Sequence, residues 1–247
     1  MDENILNEVS EIPKPVENFR KVIFDETIDI GIDLIELGLD QFLEDGIIKE
    51  IPIIGIGYTM GKTFFTLKDV MLTRKALVFA QKVQDGTVDN RKLKRHKEKL
   101  TSDPKRLVKE LEIILTYLDR HTKFIKNLML GNFYILYYDE DVDFDWNDFE
   151  YFAEIIDGLS VFDLKDLKLL YEKKVLREGE EYNPVAMKRL RNCGLIDFFD
   201  GMVAMHANQS DTVGYIAGIT KVGEVFWEYG MKGITIADPD NPQNLIL

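Results

Sequence analysis

Between Phe65 and Met129 apolar residues return at every third or fourth position, and no other feature limits the fold so tightly. One stripe runs through Phe65, Leu72, Ala76, Phe79 and Val83. A second follows Asp103-Pro104, a capping acid and a proline suited to the first helical position, and contains Leu107, Val108, Leu111, Ile114, Leu115 and Leu118. Phe124, Ile125, Leu128 and Met129 begin a third. That spacing places each set on one side of a helix, and helices with apolar faces bury them only against one another. Upstream, Ile28, Ile32, Ile35, Leu39 and Phe42 recur against Asp29, Asp33, Glu36, Asp40 and Glu44, an acidic amphipathic pattern weakened by Gly31 and Gly38. Residues 24 to 137 therefore read as helix packed on helix.

One segment breaks this habit. Residues 51–61 carry no charge, and Pro52, Gly55, Gly57 and Gly61 fall within them. Glycine costs a helix interior about 1 kcal/mol and proline about 3, so the stretch is a poor isolated helix. The sequence predicts that Pro52 opens a packed helix and that Gly57 and Gly61, one turn apart, form a smooth face against a neighbour. Gly61-Lys62-Thr63 after an apolar run approaches a phosphate-binding loop, but neither Gly55 nor Gly57 has the spacing that lets backbone N–H groups wrap a phosphate. The segment 46–67 is near the roughly 20 residues that span a bilayer, while Lys49, Glu50 and Lys62 oppose constitutive insertion.

The C-terminal hundred residues read differently. Helical patterns at 146–157 and 160–176 precede a short helix from Pro184 to Asn192, then CGLIDFF, a polar stretch, VGYIAGIT and a last helix from Lys221 with Thr220 as N-cap. RLRNCGLI followed by GYIAGITKVGEVFW resembles the Leu-x-x-x-Gly-Leu-Ile and Tyr-x-x-Thr-x-x-Gly stretches of MarR-like winged-helix proteins. The resemblance covers residues 147–233 and implies a recognition helix at 184–192, offering Lys188, Arg189 and Arg191 to a partner. DNA is the lesser expectation. Residues 147–247 hold 17 acids and 10 bases, and the implied wing, 200–212, has Asp200 and Asp211 but no Lys or Arg. Phosphate binding draws much of its affinity from counterion release, which such a surface supplies poorly.

Charge divides the chain elsewhere too. Residues 1–46 hold 13 acids and 3 bases, residues 47–134 hold 9 and 18. An acidic part lying against a basic helical part, or a basic face kept for an anionic partner, would account for this, and Lys92, Lys94 and Arg95 of RKLKRHKEK are the residues such a face would use. His96 in the same run reads as solvated. The series LIELGLDQFLEDGIIKEIPIIGIGYTMGKTFFTLKDVMLTRKALVFAQKV is similar to a segment shared by poorly characterised bacterial proteins over residues 30–137. That similarity implies a setting of antiviral defence or mobile elements and no transferable activity.

The remaining near-motifs carry little chemistry. Asp139, Asp141, Asp143 and Glu150 stand at the ligand spacing of a calcium-binding loop, but Phe144 occupies the sharp turn that needs glycine. The bland reading is an acidic linker with Asp145 capping a helix that starts at Trp146. His96, His121 and His206 lie far apart, with no His-x-x-x-His pair or Glu-x-x-His repeat, so no histidine metal site is expected. Cys193, the one cysteine, excludes an internal disulfide and suits a reducing compartment. The start MDENILNEVSEIPKPVENF has acids where a secretory leader has bases, so a cytoplasmic protein is expected, peripheral to a membrane at most.

The expected organisation is mainly α: a flexible arm at 1–19, a helical domain at 20–145, a winged-helix-like α+β domain at 146–235 and a loose tail at 236–247. The expected function is a non-enzymatic scaffold or sensor without a cofactor, acting through a protein partner or a homo-oligomer. A membrane-acting effector that releases residues 47–67 and a DNA-binding transcriptional regulator are the alternatives.

Overall fold

The structure, a computed structural model, describes residues 12–24, 58–59, 62–63, 66–84, 90–177, 180–198, 215–236 and 245–246. They form a mainly helical protein with a small antiparallel sheet, divided into two compact units, residues 1–120 and 121–247. The first contains α1 (Lys14–Phe24), β1 (Tyr58–Thr59), β2 (Lys62–Thr63), α2 (Leu67–Gln84), α3 (Asn90–Thr101) and α4 (Pro104–Arg120). The second contains α5 (Phe124–Tyr138), α6 (Trp146–Gly158), α7 (Asp163–Lys173), β3 (Val175–Arg177), α8 (Pro184–Asn192), β4 (Ile196–Phe198), β5 (Tyr215–Ile219), α9 (Lys221–Gly230), β6 (Thr235–Ile236) and β7 (Leu245–Ile246).

In the first unit α2 packs against α1 and α4, and α3 against α4. Helix α2 is buried continuously from Ala76 to Ala80, and Phe79 meets Phe19 of α1 with ring centroids 5.9 Å apart. The C-terminal carbonyls of α1 find donors across the unit. Gln84 Nε2 reaches Val22 O and Ile23 O at 3.1 and 2.9 Å, and Lys97 Nζ reaches Phe24 O at 2.8 Å, a cation at the negative end of a helix. The expected arm at 1–19 is thus cut short by α1. Pro15 sits in its first turn, where the missing N–H is harmless, and Val16, Phe19, Val22 and Ile23 give it a face to bury.

The helix expected over the glycine-rich segment is also corrected. Tyr58 pairs with Thr63 and Thr59 with Lys62 in antiparallel register, so this stretch is extended. Threonine and tyrosine favour strands, and the glycines weigh against a helix. Lys62 and Thr63 therefore lie in a strand, whereas the Lys-Thr of a phosphate-binding loop opens a helix. Pro52, Gly55, Gly57 and Gly61, and the acidic pattern after Phe24, lie outside the described residues.

The second unit is built around α5, buried on every side from Leu128 to Leu136. A helix apolar all round must be enclosed, and α6 and α9 pack against it. For that reason α5 belongs with the C-terminal residues, and the division falls after Arg120 rather than at the expected 145. Phe133 stacks on Phe152 of α6 at 4.5 Å and meets Phe226 of α9 at 5.8 Å. Asn132 Nδ2 donates to Gly230 O and Lys232 O at 2.8 and 3.0 Å, closing the C-terminus of α9.

Strands β3, β5 and β4 form an antiparallel sheet in that order. Strand β3 was read as the end of a helix at 160–176; the helix stops at Lys173 because Lys174 turns into the left-handed region at φ 66°, and Val175 begins the strand. The tail expected to be loose pairs its Leu245–Ile246 with Thr235–Ile236.

Glycines fix where α9 meets the sheet. A Cβ on Gly223 would lie 2.1 Å from Leu195 O and 2.7 Å from Ile219 Cγ1, whereas one on Gly158 meets only Cys193 Sγ at 3.7 Å. Gly223→Ala is therefore expected to lower the stability of the second unit by about 3 kcal/mol, the upper end of overpacking, because backbone cannot yield as a side chain does. Gly158→Ala should leave it within about 0.5 kcal/mol or raise it slightly. Urea unfolding of the two variants checks the contrast.

Candidate interaction surface of the second unit

Helix α8 carries the residues expected to meet a partner. Asn183 caps it, accepting the N–H groups of Val185 and Ala186 at 2.9 and 3.3 Å, and Pro184 stands at its first position. Ala186, Met187 and Leu190 turn inward, leaving Lys188 and Arg191 exposed together with Val185, which is 58% accessible.

Arg189 faces the other way. Its Nε donates to Asp163 Oδ2 at 2.8 Å and its Nη2 to Asp163 Oδ1, a bidentate pair with a carboxylate that is wholly buried. That bond raises the guanidinium further above its ordinary range. Asp163 also accepts the N–H of Ser160 at 2.9 Å, so one carboxylate closes the start of α7 and ties α7 to α8. Asp163 is the functional residue that the sequence reading missed. Its signal was there in Ser160-Val-Phe-Asp163, the spacing of a capping box ahead of an apolar run.

The other cations near α8 are engaged too. Arg191 lies over the Phe198 ring with its guanidinium carbon 5.3 Å from the centroid. Lys173 pairs with Glu180, and Lys174 with Glu224 at 2.8 Å. Bonds from those lysines hold the Glu180 and Glu224 carboxyls below their usual range. Asp166 behaves oppositely: burial pushes its carboxyl up, although it accepts the N–H of Asn183 at 3.2 Å. Burial likewise raises the Cys193 thiol, which keeps it protonated at neutral pH and a poor nucleophile.

The remaining candidate residues lie between α5 and α6, on α6 and on α3. Asp141 and Asp143 are exposed, and Asp139 Oδ1 accepts the N–H of Asp141 at 3.1 Å. Asp145 caps α6 with a full capping box to Asp148, which holds its carboxyl low through backbone N–H bonds, and Glu150 stands inside that helix. Among the described residues no three His, Cys, Asp or Glu side chains converge as a metal set. Lys94 and Arg95 are exposed on α3 and Lys92 is half-buried, but His96 turns into the unit and is not solvated. His121, also buried, has Nδ1 3.0 Å from Asn127 Oδ1 at the start of α5. No helix among the described residues is long and apolar enough to cross a membrane. No family model, curated protein or solved structure matches the chain.

Two substitutions separate the buried-pair arginine from the exposed lysine of α8. Arg189→Met should cost about 2–3 kcal/mol, less than the about 3–5 of a fully buried pair because the guanidinium is 37% exposed. Lys188→Ala should stay within about 0.5 kcal/mol. For Asp166, the folded-state carboxyl sits above its unfolded value, so folding disfavours its ionised form once the pH exceeds the ordinary carboxylate range. Asp166→Asn, which keeps an acceptor for Asn183, is expected to match or exceed wild-type stability at pH 7 and to lose that margin at pH 3. Denaturation midpoints at the two pH values check the sign.

Proposed function

We propose that the chain is a non-enzymatic interaction protein, a scaffold or sensor whose second unit is a winged-helix-like module turned to protein recognition. The order helix, helix, strand, helix, strand, strand, helix from α6 to α9 supports the module, as does the strand order β3-β5-β4. So does the local chemistry of Thr220 and Gly223. Thr220 Oγ1 accepts the N–H of Gly223 at 3.0 Å and donates to Gly194 O at 2.7 Å, a structural reason for a Thr-x-x-Gly signature after the last strand.

The engagement within the unit of four cations around α8, Lys188 apart, carries the reading. Arg189 belongs to Asp163, Arg191 to Phe198, Lys173 to Glu180 and Lys174 to Glu224, and residues 121–247 hold 22 acids against 12 bases. A polyanion would have to break these pairs against the field of the whole unit, while a protein surface meeting Val185 would not. The similarity of residues 30–137 to a segment of poorly characterised bacterial proteins suggests a setting of antiviral defence or mobile elements, which the identity of co-purifying proteins tests.

In fluorescence anisotropy at physiological salt, duplex DNA is expected to bind no tighter than about 10⁻⁴ M, the weak edge of non-specific association. Micromolar binding that falls steeply with salt and is lost in Lys188→Ala would instead restore the transcriptional regulator. Vesicles of anionic lipid should retain an entrapped dye in the presence of the protein. Leakage would favour the membrane effector.

A further inference from the structure

A groove of about 460 Å³ runs along α7, between that helix and the residues that follow α9. A space of that size admits a small organic molecule. Leu164, Leu169, Ile234 and Ile236 give it apolar walls, and Trp227, held by Tyr171 with ring centroids 5.9 Å apart, adds an aromatic one.

Asp166 stands in the same lining and differs from it in kind. Only 7% of the residue is exposed, so its carboxylate has lost most of its water. Oδ1 accepts the Asn183 N–H at 3.2 Å, and no second donor bonds the carboxylate among the described residues. Oδ2 is left without a donor but is not sealed in, unlike the buried indole nitrogen of Trp146. Burial, aided by the Asp163 charge, pushes the carboxyl up by more than the Asn183 bond and the Lys165 charge bring it down. A half-bonded, poorly hydrated carboxylate beside apolar walls is where an incoming cation gains most.

The lysines of the lining do not fill that role. Lys168 Nζ lies 3.8 Å from Glu172 Oε1, and Lys165 has an interaction of its own and no ion pair with Asp166. Glu181, two residues before Asn183 and also in the lining, is exposed and makes no ion pair among the described residues. Across this unit acids outnumber bases by 22 to 12, a field that draws cations toward the groove, and the face of Trp227 favours an ammonium over a neutral group.

We propose that the α7 groove binds a small organic ammonium ion, its apolar body against Trp227, Leu164 and Ile234 and its N–H groups donating to Asp166. The inference rests on the reading of the second unit as a sensor, and it gives that sensor a class of ligand.

Isothermal titration of the full chain with three molecules of one skeleton tests it: phenylbutylamine, phenylbutanol and phenylbutyrate, a cation, a neutral molecule and an anion at pH 7. The amine is expected to bind with a dissociation constant of about 10⁻⁴ M, and the alcohol and the acid at least about tenfold more weakly. Asp166→Asn, which keeps an acceptor for Asn183, should weaken the amine about tenfold, to the level of the alcohol, and leave the alcohol within about twofold. In proton–nitrogen NMR spectra the amine should move the indole signal of Trp227 and leave that of Trp146 in place. An amine that does not bind at about 5 mM overturns the proposal, as do an alcohol that binds as tightly, an Asp166→Asn variant that keeps the preference for the amine, or a shift confined to Trp146. If the amine fails while duplex DNA also stays unbound, the interaction reading survives without this ligand; salt-dependent DNA binding overturns that reading whatever the amine does.

Discussion

The second unit depends on enclosing α5. Its sequence from Leu128 to Leu136 offers no face to water, and a helix of that kind has no place at a surface. Everything beside it is shaped by the demand: the flat stack of Phe133 on Phe152, the approach of α9 close enough that a Cβ on Gly230 would lie 2.9 Å from the Phe133 ring, and the amide of Asn132 reaching the carbonyls that end α9. Aromatic rings supply large buried area with few rotatable bonds, so a core of Phe133, Phe152 and Phe226 is rigid as well as apolar. Rigidity there fixes α9, and α9 in turn fixes the sheet through Gly223 and Leu195.

On that base, Asp163 decides what α8 can do. A wholly buried carboxylate must be satisfied, and the Ser160 N–H with the Arg189 fork satisfies it. Arginine suits the role because its planar fork matches both carboxylate oxygens, which a lysine does not. The consequence is functional. The central cation of the helix that would face DNA in a winged-helix regulator is tied to a buried carboxylate, though its side chain stays 37% exposed, and Val185 is left as a prominent exposed group.

Most of the helical architecture was legible in the sequence. The starts of α4, α6, α8 and α9 follow from Asp103-Pro104, Asp145, Pro184 and Thr220, because capping and the place of proline in a first turn are local chemistry. What escaped depended on partners distant in the chain. Strand β3 is three residues long and exists because β5 lies beside it, some 40 residues on. The pairing of Tyr58–Thr59 with Lys62–Thr63 runs against a helical reading in which two glycines one turn apart look like a packing face. The inward turn of His96 and Arg189 could not be told from a charge run, since periodicity shows that a face is polar and not which member of it pairs with a buried acid.

The acidity of the second unit is partly an outcome of how its helices begin. Asp145 and Asp148 close α6, Asp163 closes α7, and Glu224 stands in the first turn of α9, each where N–H groups or the positive helix end favour an anion. Some acids are thus spent on folding, and others hold lysines beside the sheet, as Glu180 and Glu224 do. The resulting field opposes nucleic acid without any residue dedicated to excluding it.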